Sequence, residues 1–106
     1  MAWTYLVVAG IFEIAWALGL KYSAGFTKLG PSLFTAGAML ISIYLLSLAL
    51  RTLPVGTGYA VWTGIGAIGT ATLGMLLFHE SRDAARILCI VLIVAGILGL
   101  KLTSPE

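Results

Sequence analysis

The sequence predicts an all-α membrane protein with four transmembrane helices, and three observations carry that prediction. Of 106 residues, 60% are hydrophobic and only 9% charged, against roughly 25% charged in soluble domains. A chain this short leaves much of its surface wet when it folds in water, so this much apolar side chain needs lipid around it; the mean hydropathy is +1.09. Four windows are long enough to cross a hydrocarbon core, which takes about 17–25 helical residues. None shows the short alternating segments of a transmembrane barrel.

The first window, residues 2–20, holds Glu13 as its only charge. It lacks a basic leading region, and an acid interrupts its apolar run, so it reads as a spanning helix rather than a cleavable signal. "KYSAGFTKLGP" follows as a turn, with Pro31 suited to the first helical position. The second window, 31–50, and the third, 55–78, carry no charge. "RTLPVG" between them is so short that the two helices are expected to form a neighbouring hairpin. The fourth, about 84–102, has Arg86 and Lys101 only near its ends, where long basic side chains snorkel to the interface. "HESRDA" joins the third to the fourth. The expectation is a single compact four-helix domain over residues 1–106.

Charge and small residues bear on assembly. A net charge of +2 on so apolar a chain gives no reason to expect nucleic acid. Short basic loops favour the cytoplasmic side, yet Lys21, Lys28, Arg82 and Arg86 on one face nearly balance Arg51, Lys101 and the terminal amine on the other. Two readings follow: the chain inserts both ways and pairs as an antiparallel dimer, or the lysines of the first loop fix one orientation. Ala95, Gly96 and Gly99 in the fourth window are small residues of the kind that let helix backbones approach closely, a candidate dimer interface. Cys89 stands alone, which excludes an internal disulfide, and reads as small apolar packing.

Glu13 is the residue that most needs explaining. It is twelfth of the 19 residues in its window, near the bilayer midplane. A charged carboxylate there costs about 2.5–3.5 kcal/mol on insertion scales. Hydrocarbon penalises its charged form, so it can trade a proton for a cation. The plain alternative is a protonated or paired glutamate that ties helices together, but no other charge lies deep enough to pair with it. Gly10, Glu13, Trp16 and Ala17 share one helical face. The small residues are expected to open space beside the carboxylate. Trp16 offers an N–H donor and a π face there, or serves as an interfacial anchor, a role Trp3 and Tyr5 fit better.

Two further windows supply candidates. Ser42, the twelfth residue of its own window, is expected at a depth similar to Glu13; a membrane serine also commonly bonds its own helix's i−4 carbonyl. The third window holds six of the chain's 13 glycines. Its 24 residues would span about 36 Å against a core of about 30 Å. Tilting, or a bend at a hinge formed by Gly64 and Gly66, absorbs the excess. Gly58, Trp62, Gly66 and Gly69 fall along one stripe with Tyr59 beside Trp62, suited either to a moving wall beside a cation path or to close packing without motion. His79 and Glu80 lack the spacing and companions of a metal site, no cofactor motif is present, and no nucleophile–base pair suggests an enzyme.

The chain resembles the small multidrug resistance family of proton-coupled exporters, and within it the guanidinium exporters. The resemblance rests on Glu13 and Trp16 in "IFEIAWALGLKYSAGFTKLGPS", on Ser42, and on "LPVGTGYAVWTGIGAIG", and covers essentially the whole chain. It implies an antiparallel, dual-topology homodimer in the inner (plasma) membrane, with both copies of Glu13 at one central site. Guanidinium or a small guanidinyl cation would compete with protons there, and the protomers would exchange conformations to give alternating access. The positions of Trp16, Ser42 and Trp62 would hydrogen-bond or position the glutamates, Tyr59 would line the pathway, and the fourth helix would make the dimer. Gly58 departs from the family, where alanine is expected. Two rivals are an exporter of quaternary ammonium and polyaromatic cations of the same family, which would want more aromatic faces, and an accessory membrane subunit, which would not need Glu13.

Overall fold

The first and third helices of the chain are each followed by backbone in the left-handed region. The computed structural model describes residues 1–103 and contains α1 (Ala2–Tyr22), α2 (Leu29–Ala49), α3 (Val55–Leu77) and α4 (Ala84–Thr103). All four are long and apolar enough to cross a membrane, and the chain is a multi-pass membrane protein. α1 stops at Ser23, whose buried hydroxyl donates to the Leu20 carbonyl (2.8 Å) and accepts from the Phe26 N–H (3.1 Å). Ala24, Gly25 and Phe26 then turn the chain with φ of 50°, 76° and 66°, a conformation that only glycine adopts without strain.

α2 begins at Leu29, two residues ahead of Pro31. The proline is accommodated because the first turn of a helix has no acceptors for its N–H groups. At the same boundary of the bundle, Arg82 donates from Nη2 to the Met75 carbonyl (3.1 Å), closing the C-terminal turn of α3. Asp83 caps α4, its Oδ1 accepting the Arg86 N–H at 2.9 Å.

The helices stand in the order α2–α1–α3–α4. α1 packs broadly against both α2 and α3, those two meet only narrowly, and α4 rests on α3. The neighbouring hairpin expected of α2 and α3 is therefore corrected: the short loop ties their ends, but α1 occupies the place between them. The backbone measures 43 × 34 × 16 Å, and four helix backbones side by side at interaxial distances of 8–10 Å span about 29–35 Å. The helices therefore stand nearly in a row, as a palisade.

Small residues explain this order. Lipid tails are as apolar as leucine, so no hydrophobic force closes a bundle, and close backbone approach decides which helices meet. Ala2, Leu6 and Ala9 of α1 form the buried cluster with Leu46, Ala49, Leu53, Val61 and Trp62. A Cβ at Gly10 would overlap the Ile65 side chain, and one at Gly69 would overlap Ile14. The space expected beside Gly10 is thus filled by Ile65. α3 runs unbroken through Gly64-Ile65-Gly66. Gly64 faces Ile97 and Ile93 of α4, while Gly66 faces Glu13 of α1.

Candidate functional site

Glu13 is twelfth of the 21 residues of α1, halfway along a membrane-length helix. Its side chain lies against α3 at Gly66, where a Cβ would overlap the carboxyl group itself. Any other residue at 66 would displace the carboxylate, so the glycine is its seat. The Oε1 atom is buried and has no hydrogen-bond partner among the described residues. A carboxylate oxygen in that condition is stabilised by a proton, or by a cation that brings its own N–H donors.

A hydrogen-bonded relay lies next to it and joins three helices. Ser42, fully buried on α2, donates to the Ala9 carbonyl of α1 at 2.7 Å. Its hydroxyl accepts the Trp62 Nε1–H of α3 at 2.9 Å. Ser42 therefore bonds across helices rather than to its own backbone. Ala9 stands one turn before Glu13, and in an α-helix its carbonyl is the acceptor for the Glu13 N–H. The relay holds the turn that carries the carboxylate, not the carboxylate.

That geometry corrects the depth expected of Ser42. α1 and α2 run antiparallel, so counting twelve residues into each window starts from opposite membrane faces. Ser42 meets Ala9, four residues and about 6 Å along the axis from Glu13.

The remaining candidates flank this centre. Tyr59 is exposed, with its ring centroid 5.6 Å from that of Trp62 and tilted by 53°. Trp16 is half-buried, and its Nε1 is buried without a partner among the described residues, so it does not bond Glu13 of its own chain. Ala95, Gly96 and Gly99 are exposed on α4, and a Cβ at Gly96 or Gly99 would meet open space. No set of three His, Cys, Asp or Glu side chains among the described residues is grouped to hold a metal ion.

One member of the site escapes the sequence: the Ala9 carbonyl is backbone and leaves no side-chain signature. Gly66 is legible as a hinge candidate and as part of the stripe with Trp62, but not as the seat of the Glu13 carboxyl group.

A family model described as Small Multidrug Resistance protein matches residues 1–93. The chain is 60% identical over 104 residues to a guanidinium exporter of Citrobacter freundii, covering 98% of this chain and 99% of that one. A guanidinium exporter of Yersinia pestis shows the same identity over its whole length. One from Salmonella typhimurium strain LT2 is 58% identical over 104 residues.

Proposed function

Because the chain belongs to the small multidrug resistance family, we propose that it is a transporter that exports guanidinium and small guanidinyl cations in exchange for protons. The observation that carries the reading is the Glu13 carboxylate, half-way through a membrane helix with a buried oxygen that no donor among the described residues satisfies. Guanidinium is planar, always charged, and presents paired N–H donors that match a carboxylate fork. It supplies both things Glu13 lacks, a positive charge and donors. The names of relatives at 60% identity support the same cargo.

The working unit in this reading is an antiparallel homodimer in the plasma membrane. A palisade one layer thick cannot surround a midplane site by itself, and a second copy in the opposite sense supplies the inverted repeat used by larger transporters. The open small-residue face of α4 at Ala95, Gly96 and Gly99 is the interface this reading assigns. Two glutamates then share the site and titrate as a coupled unit. Protons arriving on one side displace the cation, while an empty, fully charged pair is too costly to reorient. Ser42 and Trp62 hold the turn bearing Glu13, Trp16 and Tyr59 line the path, and Gly64 and Gly66 allow α3 to rearrange between the two conformations.

The test is uptake into liposomes driven by a proton gradient, comparing wild type with Glu13→Gln. Guanidinium uptake that collapses in the variant is the expected result. Uptake that persists in Glu13→Gln overturns the mechanism, and a wild type that carries a quaternary ammonium but not guanidinium overturns the cargo.

A further inference from the structure

A cleft of about 350 Å³ runs between α1 and α3 from below Glu13 to one edge of the membrane, lined among others by Ala17, Lys21, Thr70, Gly74 and Glu80, with Arg86 at its mouth. Its inner end adjoins the site: Ala17 lies one turn from Glu13, and Thr70 one turn from Gly66. Along α3, positions 66, 70 and 74 form a single ridge at i+4 spacing. The two glycines of that ridge each seat a carboxylate. Glu13 lies on Gly66, and Glu80 lies on Gly74 so closely that a Cβ there would meet its carboxyl oxygen at 2.6 Å. Two turns of helix separate the seats, about 12 Å along the axis. Between them, the Thr70 hydroxyl oxygen is buried without a partner among the described residues.

The outer carboxylate already holds a guanidinium group, the chain's own. Arg86 Nη2 donates to Glu80 Oε1 at 2.7 Å. The contact is one-armed, because Arg86 Nε is buried without a partner among the described residues, whereas a free guanidinium can engage both oxygens. Both side chains are partly exposed, Arg86 at 32% and Glu80 at 42%, so the arginine has room to leave. The other charges nearby are otherwise engaged. Lys21 Nζ sits over the Phe78 ring at 5.2 Å, Arg82 is turned to the Met75 carbonyl, and Asp83 accepts the Arg86 N–H.

We propose that Glu80 is a second cation site, at which a guanidinium-type cation displaces the tethered guanidinium of Arg86 and is staged for passage along the Gly74–Thr70–Gly66 ridge to or from Glu13. The inference rests on the export reading above and adds a residue to it. Arg86 is a plug that a chemically similar cation removes by competition. Thr70 offers the passing cation a hydroxyl acceptor midway.

The test is the concentration dependence of guanidinium uptake by the full chain in liposomes. Glu80→Gln raises the half-saturating concentration roughly two- to fivefold, the size of effect expected of a partly exposed ion pair. Arg86→Gln lowers it, since the site is no longer occupied from within. The double variant follows Glu80→Gln, and Glu80→Asp recovers part of the loss. If the two single variants shift uptake in the same direction, or neither shifts it, the pair is only a structural lock and the proposal fails. Should Glu80→Gln not fold, Arg86→Gln alone decides, an unchanged or raised half-saturation overturning the site. Wild-type uptake abolished by Glu13→Gln but indifferent to Glu80 would remove this site and leave the exporter reading intact; absence of wild-type uptake would remove both.

Discussion

The relay from Trp62 through Ser42 to the Ala9 carbonyl makes a quantitative claim about coupling between helices. Ser42→Ala deletes a hydroxyl that serves both bonds, at 2.9 and 2.7 Å. Interhelical hydrogen bonds inside membranes average about 0.6 kcal/mol and reach about 1.7, so two of them, with a buried indole N–H left unpaired, place the loss at about 1–3 kcal/mol. Trp62→Phe loses one of the same bonds together with part of a ring that is only 9% exposed. The Trp62–Ser42 bond is deleted by either change, so the double variant is less destabilised than the sum of the two by about 0.6–1.7 kcal/mol. The assay is a double-mutant cycle on reversible detergent unfolding followed by helicity. Effects additive to within about 0.3 kcal/mol would show that the two side chains do not depend on one another, and the relay would be refuted. Transport makes a second check. Ser42 acts on the turn that precedes Glu13 and not on the carboxylate, so Ser42→Ala weakens guanidinium uptake while leaving it measurable. A loss as complete as that of Glu13→Gln would mean that Ser42 touches the cation itself.

Three further outcomes follow from the glycines. Gly66→Ala leaves a folded protein, because the atoms it would overlap are the movable end of Glu13, but it misplaces the carboxylate; uptake falls on the order of a hundredfold, as expected of a displacement near 1 Å, with unfolding little changed. Gly10→Ala does the reverse: it meets Ile65 at Cβ, close to the α3 backbone, and costs about 1–3 kcal/mol of stability by overpacking, read in the same unfolding assay. Gly96→Leu meets open space within the chain, so the protomer keeps its helicity, while cross-linking in detergent micelles shows dimer lost; a dimer that survives would move the interface away from this face of α4.

The four spans were legible because charge is so costly in hydrocarbon that its absence over 20 residues admits few readings. Glu13 was legible for the same reason, as the exception. What the sequence concealed was the arrangement of the helices. In water, hydropathy tells a helix which face to bury; in lipid both faces are equally apolar, and α4, the most hydropathic of the four, buries none of its residues within the chain. The order α2–α1–α3–α4 is written instead in residues that permit close approach, and composition alone does not separate glycines in use from glycines in waiting. Gly10, Gly19, Gly66 and Gly69 lie against side chains of a neighbouring helix, whereas Gly37, Gly96 and Gly99 face open space. A count of glycines treats them alike.

The same distinction explains why Ser42 was half legible. Its polarity marked it, but its partner is a carbonyl on another helix, and the depth estimate missed by about a turn because antiparallel helices are numbered from opposite faces. Once α1 and α2 are set antiparallel through the Gly19–Thr35 and Ala9–Ser42 contacts, the levels no longer need estimating. Glu13 then sits one turn below the relay, against a glycine, where its backbone is fixed by three helices and its carboxyl group by none. That division of labour suits a group that must hold its position while exchanging what it binds: the scaffold is satisfied internally, and the unmet hydrogen-bonding capacity is concentrated on the one oxygen left for the ligand.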